Sequence, residues 1–309
     1  MKVSVIGAGK VGSMIALRTV AKNLADVSLI DVLEGLPQGL ALDLLQSSPI
    51  EGIRRKIIGT NDYRELEGSK VVVVTAGFPR KPGMTRLDLL RENARVVSSV
   101  VEEVKKWAPQ AIILMVTNPL DEMTYLAAKV SGFPTKKIMG MAGTLDSARF
   151  RYFIAEELNI VPQHVSAIVL GSHGDAMVPL SRFATANGKN LSDVLSTEVI
   201  DRIVERTKDA GTEIVSYLKS GSAFFAPSAA AVEMLEAILT NESKIVPVSA
   251  YVQGQYGLRD LFIGVPAKLG KNGVEEIIEL DLDSEEKNAL NHAAILIKNK
   301  ILELQSLGY

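Results

Sequence analysis

The sequence predicts an α/β fold: a doubly wound parallel sheet over the first half of the chain, then an α+β region with a mixed or antiparallel sheet. Three observations carry this. Short runs of aliphatic and β-branched residues alternate with segments of helical periodicity as far as residue 141, the pattern of repeated strand–helix–strand units. A glycine-rich turn joins the first strand to the first helix. After residue 144 long helical segments come first and strands gather toward the end.

Val3, Val5 and Ile6 form the first apolar run, an amphipathic segment spans residues 13–22, and residues 27–30 form a second strand ending at Asp31. Residues 38–45 have helical character, punctuated by Gly35, Pro37 and Ser47-Ser48-Pro49. A short strand is expected at 57–59. Val71-Val72-Val73-Val74 reads as a strand covered on both faces, because every position is apolar rather than every second one. Leu87, Leu90, Ala94, Val97, Val101 and Val104 recur at helical spacing before Pro109. A buried strand follows at 111–116, a helix at 120–130 and a strand at 137–141. In the second half, helices are expected at 145–158, 200–218 and 229–240, and strands at 165–170, 245–252, 261–265 and 274–279. A terminal helix has Ser284 as its expected N-cap, with Glu285 and Glu286 in the first turn. Leu290, Ala294, Ile297, Ile301 and Leu304 supply its apolar stripe. There is no repeat and no low-complexity linker, and the domain boundary is placed near Ala142.

Gly7-Ala8-Gly9-Lys10-Val11-Gly12 has the form G-x-G-x-x-G. It stands between strand and helix, with Asp31 closing the next strand. That context makes the motif a Rossmann-type dinucleotide fingerprint rather than a chance glycine pattern. Gly7 permits the tight turn, Gly9 lets the backbone approach a pyrophosphate, and Gly12 lets the helix pack close to the strand. The free N–H groups of the helix start face the phosphates. Asp31 accepts from a ribose diol and repels a 2′-phosphate, which favours NAD over NADP. The alternative is a glycine turn in an ordinary α/β sheet with Asp31 a solvated strand end. In a parallel sheet the ligand lies at the carboxyl ends of the strands, where Gly7, Asp31, Thr75 and Asn118 all fall.

The 309 residues suffice for two ordinary domains, and the net charge of −2 argues against a nucleic-acid or polybasic membrane partner. With no cysteine there is no disulfide, thiolate metal site or cysteine nucleophile. No metal site is expected. The chain enters a strand at once without a signal segment, and no apolar run approaches membrane-spanning length, so a soluble cytoplasmic protein is expected.

Of the three histidines, His164 and His292 read as structural or solvent-facing, while His173 sits between Ser172 and Gly174 at a strand end, a place open to proton transfer. Asp146 opens the 145–158 helix and Arg149 lies three residues on, on the same face. One helix thus offers a carboxylate to an imidazole and a guanidinium to an anion. The segment 78–86, with Arg80, Lys81 and Arg86 among prolines and a glycine, reads either as a mobile lid over an anionic ligand or as a solvated basic loop.

Together these motifs resemble the lactate/malate dehydrogenase superfamily over nearly the whole length. Within it, the chain is similar to the malate dehydrogenases of the lactate-dehydrogenase-like, prokaryotic type. The resemblance rests on the glycine turn with Asp31, Thr75-Ala76-Gly77, the segment from Arg80 to Arg86, Thr117-Asn118-Pro119-Leu120-Asp121, Leu145-Asp146-Ser147-Ala148-Arg149, and Gly171-Ser172-His173-Gly174-Asp175. It implies a dinucleotide-binding domain over 1–142 and a substrate and catalytic domain over 143–309. It implies reversible hydride transfer between (S)-malate and NAD, giving oxaloacetate and NADH, in the tricarboxylic acid cycle. It makes His173 the general base, Asp146 the residue that orients its imidazole, and Arg86 the group that polarises the reacting carbonyl. Substrate contacts are implied for Arg80, Arg86, Asn118, Arg149 and Ser222. Cofactor contacts are implied for Gly7 to Gly12, Asp31, Thr75, Ala76, Gly77, Asn93, Val116, Thr117 and Asn118. Arg80 is the position that accompanies malate rather than lactate activity, since malate carries a second carboxylate that needs a cation. A dimer or tetramer is implied. Another 2-hydroxy acid dehydrogenase, an NAD-dependent glycosidase and an NAD-sensing binding protein are the competing readings. The first is opposed by Arg80, the second by the absence of cysteine, and the third by the presence of His173, Asp146 and Arg149.

Overall fold

A computed structural model describes residues 1–79 and 83–309. Its first half alternates strand and helix: β1 Lys2–Ile6, α1 Lys10–Ala21, β2 Asp26–Ile30, α2 Leu36–Glu51, β3 Ile57–Thr60, β4 Val71–Val74, α3 Arg86–Trp107, β5 Ile112–Met115, α4 Leu120–Ser131 and β6 Ile138–Gly140. The strands pair in parallel in the order β3-β2-β1-β4-β5-β6. Alternate residues serve opposite faces, as the two-residue period of a strand requires. Val71 and Val73 belong to the core shared with α1, while Val72 and Val74 pack with Leu90, Ala94 and Val97 of α3. With helices on both faces, the ends of β1, β2, β4 and β5 remain the open edge, and they carry Gly7, Asp31, Thr75 and Val116.

The second half comprises α5 Gly143–Leu158, β7 Val165–Ser166, β8 Val169–Gly171, β9 Met177–Pro179, β10 Thr185–Ala186, β11 Lys189–Asn190, α6 Thr197–Leu218, α7 Phe225–Thr240, β12 Lys244–Gln253, β13 Arg259–Gly270, β14 Gly273–Ile277 and α8 Ser284–Ser306. Its main strands pair antiparallel, as the expected mixed sheet requires, but they form no separate sheet. The first sheet continues through a β6–β12 contact, Gly140 opposite Ser249, and onward to β13, β8 and β9. Glycine makes the junctions: a Cβ on Gly140 would come 3.0 Å from Ser249 Cβ, and one on Gly264 would come 2.5 Å from the Gly171 carbonyl.

Four expectations about elements are corrected. The strand expected at 165–170 divides, β7 joining the small sheet β11-β10-β7 and β8 the large one. The helix α2 runs through Ser47-Ser48-Pro49 to Glu51, because Pro49 falls in the final turn, where it costs one hydrogen bond before Gly52 ends the helix in the left-handed conformation. The strand expected at 261–265 extends past Pro266. That proline faces Pro247 across the ladder, so both missing donors fall at one level. The N-cap of α8 is Asp283, whose carboxylate accepts from the backbone N–H groups of Glu285 and Glu286 while the Glu286 carboxylate accepts from the Asp283 N–H. His164 and His292 are exposed, as expected.

Candidate active site

The dinucleotide turn forms the first part of the site. Gly7 has φ +104°, and a Cβ there would lie 2.7 Å from the Ala76 nitrogen. Its carbonyl accepts from Thr75 Oγ1 at 2.9 Å, which ties the turn to the end of β4. A Cβ on Gly12 would sit 1.8 Å from the Gly7 carbonyl oxygen, so the helix closes on the turn only with glycine there. Gly9 differs: an added Cβ meets nothing within 4 Å. It is the N-cap of α1 and gives no side-chain cap, so the N–H groups opening the helix have no intrahelical acceptor and face that open space. A diphosphate fits this cradle.

Asp31 does more than the sequence suggests. Its Oδ2 accepts from the Ala8 N–H at 2.6 Å and its Oδ1 from the Leu33 N–H at 2.9 Å. It braces the turn and keeps lone pairs free for a diol. Ala8 and Val116 are buried, and Val11 is half-buried against the core. Lys10 projects beside the 221–224 segment, with its Nζ 5.4 Å from the Phe224 ring centre. Ser222 is exposed in that segment.

The ends of β4 and β5 are held together from inside. Asn93 Oδ1 accepts from the Phe78 N–H at 2.7 Å, and Asn93 Nδ2 donates to the Phe78 and Asn118 carbonyls at 3.1 and 2.6 Å. Thr117 Oγ1 donates to the Ala76 carbonyl at 2.8 Å. Gly77 fits because a Cβ would come 2.6 Å from Thr117 Cγ2. The side chains of Asn93 and Thr117 are thus engaged within the protein. Asn118 presents an exposed side chain before a cis bond to Pro119.

The second part of the site lies where α5 meets the end of β8. Asp146, buried in the first turn of α5, has its Oδ2 2.8 Å from His173 Nδ1. Its other oxygen lies 3.5 Å from Arg149 Nη1. Helical spacing brings Asp146 and Arg149 together, and the turn after β8 brings His173 to them. Burial disfavours the imidazolium, but the Asp146 charge and hydrogen bond outweigh it and raise the His173 pKa above its ordinary value. The Arg149 side chain is mostly buried, at 13% exposure, and that burial lowers its pKa against the pull of Asp146. Its Nε has no hydrogen-bond partner. The guanidinium lies alongside α6, where a Cβ on Gly211 would stand 3.8 Å from Nη2. A mostly buried cation with one long contact and an unused donor calls for an anion.

Arg86 opens α3 after the Thr85 N-cap and pairs at 2.8 Å with Asp175, on the His173 loop. Both are largely exposed, so the pair contributes little to stability. The structure therefore links Arg86 to the His173 loop. Arg80 lies outside the described residues. The sequence reading assigned no role to Asp121, whose Oδ2 accepts from the His173 backbone N–H at 2.9 Å and whose Oδ1 accepts from Ser249 Oγ at 2.6 Å. Its one local signal is an acidic residue directly after Asn118-Pro119-Leu120, at a helix start.

The first 140 residues match the model of the lactate/malate dehydrogenase NAD-binding domain, and residues 143–307 match that of the α/β C-terminal domain. A malate dehydrogenase from Trichormus variabilis is 55% identical over 97% of this chain and 93% of its own length. One from Nostoc sp. is 54% identical over 99% and 95%. A solved malate dehydrogenase from Salinibacter ruber superposes with TM-score 0.95 at 48% identity, covering 99% of this chain and 98% of its own. A lactate dehydrogenase from Cryptosporidium parvum, solved with lactic acid and β-nicotinamide adenine dinucleotide, gives the same TM-score at 45% identity, covering 98% of each chain. Backbone shape thus does not separate the two activities, but the matches across both halves place the whole molecule: the chain belongs to the lactate/malate dehydrogenase family.

Proposed function

We propose that the chain is an NAD-dependent malate dehydrogenase that interconverts (S)-malate and oxaloacetate. The observation that carries this reading is Arg149, whose buried Nε donor is unused, next to a His173–Asp146 pair at the open edge of a dinucleotide-binding sheet. The relatives named malate dehydrogenase, at 55% and 54% identity, support malate as the substrate. The first 142 residues bind the cofactor through the glycine turn and Asp31 and lend Arg80, Arg86 and Asn118 to the substrate, whose pocket the remainder completes with Arg149, His173 and Ser222. The nicotinamide, when bound, supplies the hydride acceptor or donor.

The protein's own part is to bind, orient and move a proton. Asp146 accepts from His173 Nδ1–H, so the neutral imidazole carries its lone pair on Nε2. That lone pair takes the malate hydroxyl proton, and the protonated ring returns it when oxaloacetate is reduced. Arg149 clamps the carboxylate beside the reacting carbon, a role for which a planar guanidinium is suited. Arg86 polarises the carbonyl after exchanging Asp175 for substrate. Arg80 pairs with the second carboxylate. With pyruvate it would be desolvated without a partner, a cost of several kcal/mol. Asn118 and Ser222 complete the substrate pocket.

We further propose that the enzyme works in the cytoplasm, in the tricarboxylic acid cycle, as a dimer or tetramer. No helix among the described residues is long and apolar enough to cross a membrane. Leu42, Leu45 and Ile50 on α2, with Val215 and Leu218 on α6, leave apolar side chains exposed, suited to a second copy. NADH oxidation measured in parallel with oxaloacetate and pyruvate tests the substrate assignment. A preference for oxaloacetate of about a thousandfold is expected, and it should collapse in Arg80→Gln. A preference for pyruvate would refute the assignment.

A further inference from the structure

Asp121 is nearly inaccessible, at 2% exposure, in the first turn of α4. An acidic residue there ordinarily faces the free N–H groups of its helix. This one turns inward and spends both oxygens elsewhere, on Ser249 and on the His173 backbone. Ser249 stands on β12 at the junction with β6. The close approach that lets the carboxyl reach it depends on Gly140, where a Cβ would meet Thr124 Oγ1 at 2.6 Å and Leu120 Cγ at 3.2 Å. Asn118, three residues before Asp121, is held through its carbonyl by Asn93.

We propose that Asp121 is a positioning residue for the reaction: its carboxyl ties the backbone of the His173 loop to β12 and to the helix that begins at the Asn118 turn. The inference rests on His173 being the proton carrier. The imidazole is then located from two sides, its ring by Asp146 and its backbone by Asp121. The ring alone can swing about a misplaced backbone, so Asp146 cannot do both.

The chemistry of the tether suits a buried site. Burial, and next Glu122, push the Asp121 carboxyl up to about 7, against the opposing pull of Ser249 and the His173 N–H. The carboxyl therefore holds a proton more readily than an ordinary aspartate. The Ser249 hydroxyl can donate to a carboxylate or accept from a carboxyl O–H, so the bond to His173 survives either way. Glu122 itself is paired with Lys300 of α8 at 3.3 Å.

The test compares Asp121→Ala, Asp121→Asn and Ser249→Ala in the full-length protein with NADH and oxaloacetate. Asp121→Asn can accept from His173 with its oxygen and donate to Ser249 with its amide, so its kcat should stay within about threefold of the parent. Asp121→Ala should lower kcat by about tenfold or more, as small displacements of a catalytic group do, with the Kd for NADH unchanged. Ser249→Ala should lower kcat by about threefold through the same loosening, and it decides the matter if Asp121→Ala does not fold. A parent-like kcat in folded Asp121→Ala, or in Ser249→Ala should the former not fold, overturns the proposal. So does an asparagine variant as impaired as the alanine one. The His173 ring resonances, read by NMR, should shift in Asp121→Ala and not in Asp121→Asn. That readout needs no turnover, so it separates failure of the tether from failure of the malate reading, which an inactive parent would show.

Discussion

Replacing Asp146 by asparagine removes one charge and little volume from the centre of the site. The carboxylate is buried and its Oδ2 lies 2.8 Å from His173 Nδ1. Two unit charges about 4 Å apart attract by about 4 kcal/mol at an effective dielectric of about 20. A neutral amide oxygen accepting from the same Nδ1–H would retain about 1 kcal/mol of this. About 3 kcal/mol of imidazolium stabilisation is therefore lost, and by the tenfold-per-1.36 kcal/mol relation kcat for malate oxidation falls by about a hundredfold or more. The same loss leaves burial as the dominant influence on His173, and its pKa drops below the ordinary 6.5. The limb of the oxaloacetate profile governed by that pKa then moves to lower pH. The assay is NADH absorbance at a series of pH values, with NADH binding followed separately by fluorescence and expected to be unchanged, because the glycine turn is untouched. A kcat within threefold of the parent, or a limb that does not move, refutes the role given to Asp146.

In the unmodified protein the two directions should give opposite pH profiles. With the His173 pKa raised above 6.5, kcat/KM for oxaloacetate holds below that pKa and falls above it, whereas kcat/KM for malate rises with pH through the same value; parallel profiles would exclude His173. The glycines separate by role: Gly12→Ala, with a Cβ 1.8 Å from the Gly7 carbonyl, should lower stability by about 2 kcal/mol or more, seen as a fall in Tm. Gly9→Ala, whose Cβ meets nothing, should keep Tm and weaken NADH binding, and unchanged binding would show that the cradle is not where the diphosphate lies. Asp31→Ser should weaken NADH by about tenfold or more, the value of a charge-assisted hydrogen bond, and improve NADPH relative to NADH; an unchanged cofactor ratio would refute the diol contact.

Much of the site is legible in the sequence because much of it is local. Gly7, Gly9, Gly12 and Asp31 lie within one strand–helix–strand unit, where each residue's task follows from its place in the turn. Asp146 and Arg149 share a helix face by spacing alone. Residue types alone suggest the pairing of His173 with Asp146, and the structure supplies the 2.8 Å contact. Less legible is what the side chains of Asn93 and Thr117 do for the fold: they bond to the loops after β4 and β5 and hold those strand ends together. No local pattern says which carbonyl a buried amide will find. The pairing of Arg86 with Asp175 has no signal in either motif.

By itself the sequence determined the parallel half, as repeated strand–helix units, and the dinucleotide turn, because apolar periodicity and glycine chemistry act over a few residues. Tertiary structure alone decided that the two halves share one sheet, through Gly140 and Ser249, and that Asp121 is joined to Ser249, 128 residues away, and to the His173 backbone, 52 residues away. Those contacts depend on how closely two backbones can approach and on which buried oxygen finds which donor. No local pattern encodes either, since each is settled only when distant elements pack against one another.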